Sequence, residues 1–165
     1  MVTPSGKSGR GRRRLPVLLK PEELELRTWV QFVRTFSRIE QRLERDLEGH
    51  GLSLPQFDIL ATLGFEQGIT QQELAERLLV TKGNICGMIG RMEAVGWVER
   101  KPDPNDRRVN RVFLTGRGET LLAQAAPEQH ALLVEIMSAL APGEIQALYE
   151  FLDRLDEAAG SETEG

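Results

Sequence analysis

Residues able to do chemistry are scarce in this chain. The chain has one cysteine, Cys86, and two histidines, His50 and His130, among its 165 residues. A single thiol closes no internal disulfide and suits a reducing compartment. Three soft ligands on separate segments fall short of a metal cage. Aromatics make up only 5% of the chain, with one tyrosine. No apolar run approaches the ~18 residues of a membrane span, so none is expected. Catalysis would need a nucleophile beside a base, or two carboxylates converging on a cleft. The acids here are instead scattered over amphipathic helices, so the expectation is a protein that is not an enzyme and needs no cofactor or metal. The length fits one domain with an appendage and excludes a large barrel or a multi-domain synthetase. At 40% hydrophobic, the chain also falls outside the collagenous and wholly disordered classes.

The formal charge is -4, but acids and bases are segregated. Residues 1–20 hold Lys7, Arg10, Arg12, Arg13, Arg14 and Lys20 and no acid, whereas residues 126–165 hold Arg154 against nine acids. Residues 81–111 carry seven bases against four acids. Such a chain can meet a polyanion with one face and repel it with the rest. Residues 1–14 lack hydrophobic periodicity and read as a disordered arm. That arm either strengthens nucleic-acid binding or is a solvated tail. A secretory or twin-arginine leader is not expected, because Leu15 to Leu19 is short, contains Pro16 and runs into Lys20-Pro21-Glu22-Glu23. The expected location is cytoplasmic.

Pro21 followed by Glu22, Glu23 and Glu25 predicts a helix start, since proline and acids both suit a first turn. Trp29, Phe32, Val33, Phe36, Ile39, Leu43 and Leu47 then recur at steps of three and four along one face. A helix from about 22 to 48, ended by Gly49 and Gly51, would be ~40 Å long. One small domain cannot cover such a stripe, which points to a partner helix and hence a dimer. Ser53 and Pro55 open a second helix containing Phe57, Ile59, Leu60 and Leu63, and Ile69 adds a short strand. Thr70-Gln71-Gln72-Glu73 is a capping box that opens a short helix with Leu74, Ala75 and Leu78. After the brief turn at Leu79-Val80, Thr81 caps the next helix, which turns Ile85, Met88, Ile89 and Met92 inward and ends at Gly96. Two capped helices joined by so short a turn form a helix-turn-helix pattern.

Two strand-like runs follow, Trp97 to Arg100 and Arg111 to Leu114. Between them lies a charged, turn-rich tip, Pro102-Asp103-Pro104-Asn105-Asp106-Arg107-Arg108. A helix-turn-helix followed at once by a hairpin predicts a winged helix. Thr115 caps a helix expected to run, bent near Pro127, to about Ala139. Pro142 opens a last helix with Ile145, Leu148, Phe151, Leu152 and Leu155 on one side. The fold class is therefore mostly α (α+β): a winged helix-turn-helix lobe plus N- and C-terminal helices forming a dimerisation lobe. The expected organisation is a basic arm at 1–20, a dimerisation helix at 21–51, the winged helix at 52–115, dimerisation helices at 116–158 and a tail at 159–165.

From about Leu52 to Gly118 the chain resembles the multiple-antibiotic-resistance regulator (MarR) family of bacterial transcription factors. The likeness is carried by Leu74-Ala75-Glu76-Arg77-Leu78, Thr81-Lys82-Gly83-Asn84-Ile85 and Arg91-Met92-Glu93-Ala94-Val95-Gly96-Trp97-Val98-Glu99-Arg100. Its most specific parts are Asp103-Pro104-Asn105-Asp106-Arg107-Arg108 and Leu114-Thr115-Gly116-Arg117-Gly118. The resemblance implies a homodimer joined through its terminal helices, a double-stranded DNA partner and the habit of repression. It also implies a wing arginine in the minor groove braced by an aspartate, a pattern that Asp106 and Arg108 match and for which Arg107 competes.

On the second helix of the motif, the outward residues are Lys82, Gly83, Asn84, Cys86, Gly87 and Arg91. Asn84 suits adenine and Lys82 suits guanine or phosphate. Gly83 and Gly87 cost helix propensity but permit close backbone approach to DNA. Thr70, Gln71, Arg100 and Arg111 are candidate phosphate contacts, whereas Glu93 and Glu99 suit salt bridges. The resemblance further implies a crevice for small aromatic or phenolic anions between the lobes, for which Trp29, His50 and Phe57 are candidates. Each also has a duller reading, as packing for the two aromatics and as a helix C-terminal residue for His50. Other readings remain at this stage: a redox switch through Cys86, or an activator or nucleoid-type binder without an effector.

Overall fold

The computed structural model of the protein describes residues 23–160, so the basic arm expected at 1–20 and all but the start of the tail expected at 159–165 lie outside the described residues. The chain divides into two compact units, Met1–Ser37 and Arg38–Gly165. In the first, the described residues begin helix α1 (Leu24–Leu47). The rings of Trp29 and Phe32 lie 6.1 Å apart at a tilt of 30°. Trp29, Phe32 and Phe36 are exposed.

The second unit carries the end of α1, a single 3₁₀ turn at Glu48–His50, and then α2 (Leu54–Phe65), β1 (Ile69–Thr70), α3 (Gln71–Arg77) and α4 (Lys82–Ala94). β2 (Val98–Pro102), β3 (Asn110–Leu114), α5 (Gly116–Met137) and α6 (Pro142–Gly160) follow. The sheet has the order β1-β3-β2 and is antiparallel throughout. Ile69 stands opposite Val112 and Val98 opposite Leu114, so the apolar face of the small sheet closes on the helices. Leu47, Ile59, Leu60, Leu63, Leu74, Ile85, Ile89, Met92, Val98 and Val112 are fully buried and form one core. Truncating such a residue to alanine, as in Ile89→Ala, typically costs about 2–5 kcal/mol.

Three turns stop by the same device. At the end of α4, the Trp97 N–H donates to the Met92 carbonyl (2.9 Å) and the Gly96 N–H to that of Glu93 (2.9 Å), with Gly96 at φ 75°. Gly51, at φ 68°, closes the 3₁₀ turn in the same way. The end of α3 repeats the bonds, from Val80 to Ala75 (3.0 Å) and from Leu79 to Glu76 (3.2 Å), but places Leu79 at φ 51°. A non-glycine residue held there costs about 1–2 kcal/mol. The short turn of the helix pair is therefore strained, and the Leu79 side chain is exposed.

Helix α5 continues through Pro127, as the sequence predicts, from Gly116 to Met137. Opposite the end of α1, the buried Gln129 amide donates to the Leu43 carbonyl (3.3 Å) and the Asp46 carboxylate (2.6 Å). Arg42 with Glu135 (2.7 Å) adds an exposed ion pair, which contributes little to stability by itself, and His50 Nε2 lies within hydrogen-bond distance of Glu128 Oε2 (2.9 Å). Helix α6 buries none of its residues; Tyr149, Phe151 and Leu155 are all exposed.

The first turn of α5 packs on the residue that opens the hairpin. A Cβ placed on the buried Gly118 would fall far inside van der Waals contact with the Trp97 carbonyl oxygen, whereas one on Gly116 would meet nothing within 4 Å. Gly118→Ala should therefore lower the thermal midpoint sharply or prevent folding, because the obstacle is backbone and cannot rotate away. Gly116→Ala should be neutral or slightly stabilising. Equal midpoints for the two variants would contradict this packing.

Candidate nucleic-acid interface

Both helices of the pair are capped as the sequence predicts. Thr70 Oγ1 accepts from the Glu73 N–H (3.1 Å) while the Glu73 carboxylate accepts from the Thr70 N–H (2.6 Å). Thr81 Oγ1 accepts from the Asn84 N–H (3.4 Å). Along α4, Ile85, Ile89 and Met92 are buried, and Met88 is half-buried. The opposite face shows Gly83, Asn84, Gly87 and Arg91 exposed. Lys82 opens the helix, and its side chain lies outside what the structure describes.

The glycines of this helix are not required by packing. A Cβ on Gly83 or Gly90 would meet nothing within 4 Å, and one on Gly87 only the Arg91 guanidinium at 3.7 Å. Gly83, Gly87 and Gly90 follow one another at steps of four and three, so they share a side of the helix. The sequence reading named the first two as candidates and did not name Gly90. Cys86 is half-buried, its thiol 3.6 Å from Gln71 Oε1, so both residues belong to the α3–α4 contact. Gln71 Nε2 is buried and has no hydrogen-bond partner among the described residues.

The wing is organised by two aspartates. Asp103 is buried, accepts from the N–H groups of Asn105 (2.7 Å) and Asp106 (3.1 Å), and pairs with Arg111. Arg111 also donates to the Gly68 carbonyl (2.7 Å) and so ties the wing to the strand before α3. Asp106 accepts from the Arg108 backbone N–H (3.0 Å) and from Nε (3.1 Å) and Nη2 (3.2 Å) of its guanidinium. The carboxylate thus braces an arginine whose side chain is 91% exposed. Arg107 is exposed beside it. Arg100 is held by Glu93 through its backbone N–H (3.1 Å) and Nε (2.9 Å), and Lys101 pairs with Glu99 at 2.7 Å. Of the basic residues singled out in the sequence, Arg100 and Arg111 are therefore committed to internal partners, while Arg91 and Arg107 point to solvent. A groove of about 330 Å³ separates the wing at Arg108, Val109 and Asn110 from the N-terminal turns of α3 at Thr70, Gln71, Gln72, Glu73 and Glu76.

Of the candidate effector residues, Trp29 belongs to the first unit and His50 and Phe57 to the second. Trp29 is exposed in the first unit. Phe57 is half-buried against the core. His50 lines a hollow of about 340 Å³ with Trp97, Arg117, Thr120, Leu121 and Gln124, residues that periodicity did not mark. Among the described residues, no cluster of histidine, cysteine, aspartate or glutamate is placed to hold a metal, and no single helix is long and apolar enough to cross a membrane.

A capped helix pair followed by a twisted hairpin defines a winged helix-turn-helix module. A family model for the MarR family matches residues 50–109. An HTH-type transcriptional regulator of Bacillus cereus is 33% identical over 128 residues, which cover 77% of this chain and 85% of that protein. AbsC, a MarR family transcriptional regulator from Streptomyces coelicolor, superposes with a TM-score of 0.79 at 26% identity, over 84% of this chain and 95% of that one. A cysteine-to-serine mutant of MarR from E. coli, complexed with operator DNA, gives 0.72 at 28% identity, over 80% and 94%. The chain belongs to the MarR family of winged helix-turn-helix transcriptional regulators, which are DNA-binding proteins and not enzymes.

Electrostatics make the wing sensitive to acid. The Asp103 carboxyl is held below its usual range by the Asn105 N–H, then by Arg111, and that of Asp106 by Arg108. Glu73 is lowered by its bond from the Thr70 N–H, and Glu93 by Arg100. Asp58 is shifted upward, by burial and then by Glu40, and so acts in the opposite sense. The four lowered groups stabilise the fold above the ordinary carboxylate range, and that contribution is lost as pH falls through their lowered folded-state values. Asp103→Asn should lower the thermal midpoint at neutral pH and flatten the midpoint-versus-pH curve on its acid limb. An unchanged acid limb would contradict the assignment.

Proposed function

We propose that the chain is a homodimeric, sequence-specific transcriptional repressor that binds a pseudo-palindromic operator and is released by a small aromatic or phenolic ligand. The observation that carries the DNA-reading part is the outward face of α4. Asn84 and Arg91 stand there beside glycines whose missing side chains leave open space rather than room for a neighbour within the fold. Glycine inside a helix costs about 0.5–1 kcal/mol relative to alanine, so a face that carries it without internal need is shaped for something outside. Duplex DNA fits: α4 enters the major groove with Lys82, Asn84 and Arg91 toward base edges and phosphates, and Gly83 and Gly87 let its backbone approach. The wing then reaches the adjacent minor groove with Arg108, or its neighbour Arg107, while Thr70 and Gln71 lie nearest the phosphates. Arg100 and Arg111 contribute chiefly by holding the hairpin in place.

Dimerisation follows from the uncovered apolar side chains of α1 and α6, Trp29, Phe32 and Phe36 on one, Tyr149, Phe151 and Leu155 on the other. A two-fold dimer reads half-sites about one helical turn apart. The E. coli MarR structure with operator DNA supports the same target class. A cytoplasmic location follows from a DNA target in a bacterial cell.

The test is a gel-shift titration against the gene's own upstream DNA at two salt concentrations, set beside thermal melts. Gly83→Ala and Gly87→Ala should each raise stability by about 0.5–1 kcal/mol. Both should weaken DNA binding, and wild-type affinity should fall with log salt at about 0.9 per phosphate neutralised. Variants that are more stable and bind as tightly as wild type would refute the assignment of this face.

A further inference from the structure

We infer that Leu79, in the turn between α3 and α4, reads a thymine by packing its side chain on the C5 methyl group in the major groove. This contact deepens the reading of α4 as a major-groove helix and rests on it. The Leu79 N–H donates to the Glu76 carbonyl (3.2 Å) and the Val80 N–H to that of Ala75 (3.0 Å), which makes Leu79 the first residue past the end of α3. Glycine usually holds such a position because φ is positive there. Gly96 holds the equivalent place after α4, at φ 75°. Leu79, at φ 51°, is the one non-glycine residue with a positive φ among the described residues.

Leucine at this position does not serve the fold. Leu78 beside it packs against the core, whereas Leu79 is 91% exposed. Its backbone is strained and its apolar side chain stands in water, so glycine would suit the isolated protein better. Strain of this kind collects where a protein meets a ligand. Phe65, just as exposed at the end of α2, has no such backbone strain. The exposed aromatics of α1 and α6 belong to the dimer faces, and Leu79 lies on neither helix.

The neighbours of Leu79 identify what it meets. Thr81, two residues on, caps α4 by accepting from the Asn84 N–H (3.4 Å). Leu79, Val80, Thr81, Gly83 and Asn84 are all exposed, so the turn continues the outward face of α4 at its N-terminal end. That end of a recognition helix is the one that reaches base edges. Arg77, the nearest cation on α3, is held by Glu66 at 2.7 Å, so the turn is not built to clamp a phosphate. The leucine side chain has no hydrogen-bonding atom and cannot tell donors from acceptors. The apolar group that a base pair presents in the major groove is the thymine methyl, and an aliphatic side chain favours it by burial.

The experiment selects operators from random duplexes with the full chain and then removes single methyl groups. A thymine should be enriched in each half-site, beside the bases read by α4. Replacing it with deoxyuridine takes away only the methyl group and should weaken wild-type binding about fourfold, the change expected for one buried methyl group. Leu79→Gly should melt at a higher temperature than wild type, so that weaker binding is not a folding defect. It should bind the thymine operator about fourfold or more weakly, and no longer distinguish thymine from deoxyuridine. Its preferences at bases facing Asn84 and Arg91 should remain. Wild-type binding indifferent to deoxyuridine at every thymine, or a Leu79→Gly chain as sensitive to it as wild type, would overturn the contact and leave α4 as the reader. A Leu79→Gly chain with wild-type affinity for the thymine operator would also overturn it and assign the turn to a partner other than DNA. Failure of the wild-type chain to enrich any duplex would overturn the functional reading itself, and this contact with it.

Discussion

The carbonyl of Trp97 sits where three elements meet, and it leaves no room for a side chain on the turn that faces it. It accepts the Thr115 N–H at 3.1 Å and the Thr115 hydroxyl at 3.2 Å, while the hydroxyl also reaches the Gly96 carbonyl at 2.6 Å. One threonine thereby caps α5 and engages the carbonyls of Gly96 and Trp97 in the turn between α4 and β2. Gly118 is the only residue type that lets α5 come this close. The strand between these points has its direction fixed at its root, and the position of the wing relative to α4 follows from it.

Beyond the root, the wing holds its shape by charge rather than by packing. Asp103 is one of the few buried polar residues, and its pairing with Arg111 and with two backbone N–H groups converts a loop without an apolar core into a defined turn. Asp106 repeats the device one step outward, on an arginine that remains almost wholly exposed. The inner aspartate secures the hairpin and the outer one aims a cation. On α4 the logic is reversed: three glycines weaken the helix, and burial of Ile85, Ile89 and Met92 keeps it folded. Stability comes from the inward face, which leaves the outward face free to be shaped by a partner.

Much of this was legible in the sequence because the signals are local. Thr70 with Glu73, Thr81, Thr115 and Gly96 mark helix ends through bonds made within a few residues, and the inward set of α4 follows from its period. The Asp-x-Arg pattern of the wing also acts at a separation of two residues. What the sequence did not show depends on distant partners or on backbone choice. Arg111 resembles any other basic residue near the wing, and only the fold brings it to Asp103 and to the Gly68 carbonyl. Leu79 adopts a conformation usually left to glycine, which no composition rule would assign to leucine. The hollow at Arg117 draws on the 3₁₀ turn after α1, the start of β2 and the first turns of α5, so no single periodic stretch reveals it. Trp29 and Phe57, chosen for aromatic character, lie in separate units of the chain.

The central claim is that α4 and the wing read adjacent grooves of one duplex. Methylation interference tests it most directly, because dimethyl sulfate marks guanine N7 in the major groove and adenine N3 in the minor groove. On an operator selected from random duplexes, binding should be blocked by guanine methylation in two clusters about one helical turn apart, each flanked by interference at adenine N3. The adenine signal should disappear in Arg108→Ala while the guanine clusters remain. Interference confined to one groove, or a single unpaired cluster, would contradict the account.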